Sequence, residues 1–157
     1  MAYTISTILY ASELEPRGPE IFRHAVGIAR QFGARLHVIT VCTTRDQPFL
    51  HDYLSNADLD RLHDDDFRRL GAMLQQRIDE LGAAYPDLHV ADVLAGIEVL
   101  KGNAAQAILD TAKRIGADMI VLGSHGHSAF SELLSGSVAH AVTVHAEVPV
   151  LLVPINH

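Results

Sequence analysis

Five short apolar runs alternate with segments of helical period, and this alternation most constrains the fold. Ile5 to Ala11, Leu36 to Val41, Ile97 to Leu100, Met119 to Leu122 and Val148 to Val153 are rich in β-branched residues. Most are apolar at successive positions, not at every second one. A strand of that kind needs cover on both faces, which implies a parallel sheet between two layers of helices. Between the runs, apolar residues recur at helical spacing: Ile21, Ala25, Ile28, Ala29 and Phe32; then Leu59, Leu62, Leu70, Leu74, Ile78 and Leu81; then Ile108, Ala112 and Ile115. Gly33, Gly82 and Gly116 close these helices, and Asn56 and Asn103 are placed to cap the second and third. A last helix is expected from about Ser137 to Ala146. The expectation is one α/β domain over residues 1–157, an open five-stranded parallel sheet of Rossmann-like type.

Two stretches are ambiguous. Thr43 to Ser55 is polar and irregular, and reads as a flap. Within 86–96, Val90 to Leu94 suits either a strand or a short helix ended by Gly96. The helix is taken here, with strand 3 at Ile97–Leu100. Pro149 has no N–H to give a ladder, so strand 5 belongs at a sheet edge or a subunit contact.

The fourth run breaks into Gly123-Ser124-His125-Gly126-His127-Ser128. Nine residues separate Gly126 from Gly136-Ser137-Val138, where a helical pattern follows. Strand, glycine loop and new helix start form a set suited to an anion. Glycine lets a backbone approach a ligand closely, and unpaired N–H groups at a helix start attract negative charge. The bland reading is a glycine turn alone, which leaves Gly136-Ser137 at a helix start unexplained. Ligands of such sheets sit where the strand order reverses; if the order is 3-2-1-4-5, which the residues alone do not fix, that point lies between the carboxyl ends of strands 1 and 4. The loops there are Ser12 to Pro16 and Gly123 to Ser128.

The spacing Gly-x2-Gly-x9-Gly-Ser at 123–137 resembles the motif of the ATP-binding branch of the universal stress proteins. Gly-Ala-Asp-Met-Ile-Val-Leu-Gly-Ser-His-Gly at 116–126, Gly102-Asn103-Ala104 and the terminal Val148-Pro-Val-Leu-Leu-Val-Pro support it. The resemblance covers the whole chain. It implies the order 3-2-1-4-5 and a homodimer through strand 148–153. It also implies ATP, or AMP or ADP, with or without Mg2+. The phosphates would lie on Gly123, Ser124, His125, Gly126 and His127, and on the helix start at Gly136, Ser137 and Val138. The adenine would meet Ala11, Ser12, Glu13 and Val41. One departure stands out: Glu13-Leu14-Glu15 replaces the usual Asp-Gly-Ser, so the carboxylate sits one methylene further out. Glu13 and Glu15 also suit the start of the following helix, where acids are favoured without any ligand.

Other chemistry is excluded or weak. No Gly-Lys-Ser/Thr follows the loop, and Gly-x-Gly-x-x-Gly is absent. A formal charge of −7 disfavours sequence-independent nucleic-acid binding. The lone Cys42 allows no internal disulfide and reads as a buried thiol. His125-x-His127 lacks the partners of a structural zinc site, and Asp64-Asp65-Asp66 reads as a solvated helix face. His37, His140 and His145 read as packed or surface residues. No catalytic residue or metal ligand is assigned. No run approaches the ~20 apolar residues of a membrane span, and no basic leader opens the chain. The expectation is a cytoplasmic nucleotide-binding stress or regulatory protein with a protein partner that the sequence does not name. The alternatives are a slow ATPase or nucleotidyl transferase, and a nucleotide-free protein acting through protein–protein contacts.

Overall fold

The computed structural model describes residues 3–12, 18–42, 64–124 and 137–154. Strands β1 (Thr7–Ala11), β2 (Arg35–Cys42), β3 (Leu94–Lys101), β4 (Met119–Ser124) and β5 (Val150–Pro154) pair in the order β3-β2-β1-β4-β5. Every pairing is parallel. Helices α1 (Gly18–Phe32), α2 (Asp64–Ala84), α3 (Val90–Val93), α4 (Ala104–Ile115) and α5 (Ser137–His145) link them, with a 3-10 turn at Pro86–Leu88 before α3. The order and class match the sequence expectation.

The continuous apolar runs have the reason inferred for them. Successive side chains of a strand point to opposite faces, and here each face meets helices. Ile8, Tyr10, Val38 and Val121 join Ala25 and Val26 of α1 and Leu70, Leu74 and Ile78 of α2 in one buried cluster. Leu9, Ile39, Val41, Ile120 and Leu122 join Ile108 and Ala112 of α4 and Ala139 and Val142 of α5 in the other. β1, flanked by β2 and β4, has Ile8, Leu9 and Tyr10 at 1% exposure or less. At about 25 cal/mol per Å2, burial of this kind is the main force holding the two layers to the sheet.

Asn103, Gly33 and Gly116 act as read. The Asn103 side chain accepts from the Gln106 N–H at 2.9 Å and caps α4. Gly33 and Gly116 take left-handed φ of 65° and 66° at the ends of α1 and α4, where a side chain would be strained. The expected capping of α2 at Asn56, and the flap at 43–55, lie outside the described residues.

Several boundaries differ from expectation. Gly82 does not close α2, which runs on to Ala84, so this glycine lies inside the helix. The helical reading holds for 90–93, but β3 begins at Leu94, three residues before Ile97. Gly96 is therefore a strand residue, not a helix stop. It pairs with His37 after a register shift between Leu36 and His37, and a Cβ at Gly96 would lie 3.9 Å from His37 Nδ1. The Arg35 guanidinium also donates to the Leu94 and Asp92 carbonyls and fixes the strand's entry. At the other edge β5 starts at Val150, not Val148. Pro149 precedes it, donates nothing, and accepts from the Ile120 N–H at 3.0 Å.

Candidate functional site

β1 and β4 pair at Ile8–Met119, Leu9–Ile120 and Tyr10–Val121, and no further. Both continue, each held by its outer neighbour. Ala11 stays in register with Ile39, and the Ser12 N–H donates to the Ile39 carbonyl at 2.7 Å. Leu122, Gly123 and Ser124 stay in register with Leu152, Val153 and Pro154. The two central strands therefore part at their carboxyl ends, at the point where the strand order reverses. Such a crevice is where open α/β sheets receive ligands.

Ala11 and Ser12 end one bank, and Gly123 and Ser124 end the other. On the α4/α5 face the floor is apolar. Val41 is 3% exposed in the same cluster as Leu9, Leu122 and Ala139, and Ala11 and Val138 pack against that cluster. Three residues expected around a ligand, Ala11, Val41 and Val138, thus meet through one apolar surface. Ser137 is the first residue of α5, which packs against β4, β5 and α4. Its position at a helix N-terminus gives its backbone N–H the character of an anion donor. Glu13, His125, Gly126, His127 and Gly136 lie outside the described residues.

The chemistry offered by the described part is non-covalent. It consists of strand-end N–H and C=O groups, a helix start and apolar contacts. Among the described residues, no group of three or more His, Cys, Asp or Glu side chains could hold a metal ion. His37 lies on β2 away from the crevice. Its pKa is lowered from the ordinary 6.5, first by burial and then by the Arg114 and Arg35 guanidiniums, with Glu98 opposing them. The Arg114 side chain bonds Glu98 across α4 and β3. His140 and His145 are exposed on α5, as expected.

Two residues escaped the sequence reading. Thr40, on β2 beside the crevice, is 1% exposed, and its Oγ1 finds no hydrogen-bond partner among the described residues. The available signal was a hydroxyl inside an otherwise apolar strand. Asp118 accepts from the Ser6 and Thr7 N–H groups at 2.9 and 3.0 Å and pins the amino end of β1 to that of β4. In the sequence it stands only within the family-like string 116–126.

The architecture and the parted strands define a doubly wound α/β protein with a crevice at its switch point. A sequence profile described as the universal stress protein family matches residues 4–154, and the chain belongs to that family. It is 30% identical over 158 residues to universal stress protein A of Photorhabdus laumondii, covering 99% of this chain and 98% of that protein. It is 40% identical to the stress response protein NhaX of Bacillus subtilis, over 57 residues. That match spans 36% of this chain and 34% of NhaX. Among solved structures, UspA from Lactobacillus plantarum superposes with a TM-score of 0.68 at 24% identity, covering 97% and 99% of the two chains. A universal stress protein in complex with cAMP gives 0.59 at 19% identity, covering 97% and 98%. The Archaeoglobus fulgidus protein in complex with dAMP gives 0.53 at 19%, with the same coverage. At these identities the structural matches establish the fold.

Proposed function

We propose that this chain is an adenine-nucleotide-binding stress or regulatory protein that takes ATP in the crevice between β1 and β4. The parting of β1 and β4 beyond Tyr10–Val121, with the start of α5 at Ser137, is the observation that carries this reading. Ala11, Ser12, Glu13 and Val41 would hold the nucleoside. Gly123, Ser124, His125, Gly126, His127, Gly136, Ser137 and Val138 would hold the phosphates. Two family members solved with cAMP and dAMP support an adenine nucleotide over other anions. The described residues fit such a ligand: an apolar floor for a base, and helix and strand-end N–H groups for phosphate. Mg2+, where present, would be carried by the phosphates, because no protein metal cluster is found among the described residues.

The test is mass analysis of nucleotide released from denatured, purified protein, followed by titration of the emptied protein with ATP, ADP and AMP. Gly126→Val is expected to abolish binding while the unfolding transition persists. No released nucleotide and no titratable site would turn the reading toward a protein acting through protein contacts. Phosphate or pyrophosphate release that Glu13→Gln abolishes would turn it toward an enzyme.

The same reading makes the protein a cytoplasmic homodimer through strand 148–153. β5 is an edge strand, with Leu152 at 41% exposure, and Val144 on α5 is 59% exposed. An open apolar edge invites pairing with another chain, and a second copy can cover it. Sedimentation should give a dimer of the 17.1 kDa chain, and Leu152→Asp should give monomer.

A further inference from the structure

At the opposite end of the sheet, where β3 begins, lies a second concavity of about 600 Å3. The carboxyl half of α2 forms one wall. The turn before α3, α3 itself and the first residue of β3 form the other. The volume is in the range of small-molecule sites, roughly 300–1,000 Å3. Ile78, Val90 and Leu94 supply apolar surface, and Ile78 and Val90 are also anchored in the core.

The polar groups lining it are Gln75, Asp79, His89 and Asp92. Asp79 accepts from the Gln75 amide at 2.9 Å. Asp92 faces His89 Nδ1 at 3.9 Å, beyond hydrogen-bond range. Neither carboxylate has a Lys or Arg side-chain partner among the described residues. The guanidiniums nearby are engaged elsewhere. Arg30 donates to the Asp87 carbonyl, Arg23 stacks over the Tyr85 ring, and Arg35 donates to the Asp92 and Leu94 carbonyls. None of the three lines the concavity. Two exposed carboxylates, neither paired with a Lys or Arg side chain among the described residues, thus border an apolar floor.

Gly82 makes the opening in the α2 wall. Glycine inside a helix costs about 1 kcal/mol relative to alanine, so a packing reason is the first explanation to test. A Cβ at Gly82 would lie 3.8 Å from Val90 Cβ, an ordinary contact, and Gly82 has no positive φ. Packing therefore does not require glycine there. Its effect is to keep the groove open between α2 and α3.

We propose that this groove binds a small organic cation, a primary ammonium on an apolar body, with the ammonium between Asp79 and Asp92 and the body on Ile78, Val90 and Leu94. An ammonium has three donors and no acceptor, which suits two carboxylates. An anion would meet like charge, and a neutral analogue would forgo the charged contacts. The site lies at the amino end of β3, so it is separate from the crevice at the carboxyl ends and does not depend on nucleotide binding.

The test is calorimetric titration of the full chain with phenethylammonium chloride at low salt. 2-Phenylethanol and 3-phenylpropionate serve as the neutral and anionic counterparts. The ammonium should bind one site saturably with a Kd of about 1 mM or tighter, weakening as salt is raised. Asp79→Asn/Asp92→Asn should lose at least about tenfold in affinity. Both side chains are exposed, so its unfolding midpoint should not change. Gly82→Leu, which places a side chain in the groove, should lose binding while staying folded. Absence of saturable ammonium binding, equal binding of the alcohol, or wild-type affinity in the double asparagine variant overturns the proposal.

Discussion

Replacing Thr40 by valine should stabilise the nucleotide-free protein, although most core substitutions destabilise. Thr40 is 1% exposed on β2, in register with Val99 of β3, and its Oγ1 finds no partner among the described residues. A buried hydroxyl without a partner forfeits its hydration, at a cost of about 1–3 kcal/mol. Valine keeps the branched shape that a strand favours and removes the hydroxyl. It leaves no orphaned partner among the described residues, because the hydroxyl has none there. Taking the low end of the range, the expected gain is about 1 kcal/mol, or roughly 2–4 °C in midpoint for a domain of this size. Urea unfolding followed by circular dichroism, on protein stripped of nucleotide, measures it directly. Stripping matters because a ligand that binds only the folded state adds its own stabilisation. A loss of about 1 kcal/mol or more would refute the reasoning, since that is the mark of a broken hydrogen bond. Thr40→Ser separates hydroxyl from methyl: it should destabilise, because it keeps the orphaned oxygen and removes packed carbon.

Three further outcomes follow from the described contacts. Asp118→Ala removes a carboxylate that accepts two backbone N–H groups at the amino end of β1; a loss of about 2 kcal/mol in denaturant unfolding is expected, as for hydrogen bonds to a charged group. Asn103→Ala removes the α4 cap and should cost about 1 kcal/mol by the same measurement. His37 titrates below the ordinary 6.5 in the folded protein, through burial and then the Arg114 and Arg35 charges. The unfolded chain therefore takes up the proton first as pH falls. Stability from this group is complete above about pH 6.5 and is lost as pH drops toward the folded value, so His37→Gln should flatten the slope of stability against pH below 6.5; an unchanged slope would remove His37 as its source.

The parallel sheet was legible because burial on both faces writes itself as unbroken apolar runs, whereas its strand order came only with the family resemblance. Leu9 could not have been told from Tyr10 by alternation, and the structure places them on opposite faces, in separate cores. The ends of elements were less legible where tertiary contacts set them. Gly96 reads locally as a helix stop, yet it is a strand residue that pairs with His37 after a register shift. Leu94 enters β3 early because Arg35, 59 residues away in sequence, binds its carbonyl. For the candidate site, the glycine-loop and helix-start residues can be named from their spacing and the nucleoside-side residues only from the resemblance, while the parting of β1 from β4 is in neither. That divergence is a matter of which outer neighbour each strand keeps, and no single segment carries it.

The two ends of the sheet divide its tasks. At the amino end, cross-strand ties hold the strands together: Asp118 Oδ2 to Ser6 and Thr7, Asp118 N–H to the Thr7 carbonyl, and Arg35 N–H to the Ser6 carbonyl. At the carboxyl end the pairing of β1 with β4 stops at Tyr10–Val121, while Ala11 and Ser12 stay with β2 and Gly123 and Ser124 stay with β5, each pair on one side of an opening. Every backbone N–H and C=O withheld from the ladder loses a partner, which is tolerable only where water or a ligand replaces it. A parallel sheet can bear that loss at one end because the other end and the two apolar faces fix its strands. The division has a consequence that stability and binding measurements can separate. Weakening the amino end, as in Asp118→Ala, should lower the unfolding free energy and leave the nucleotide affinity of the folded protein unchanged. A substitution at the carboxyl end, such as Gly123→Val, should do the reverse.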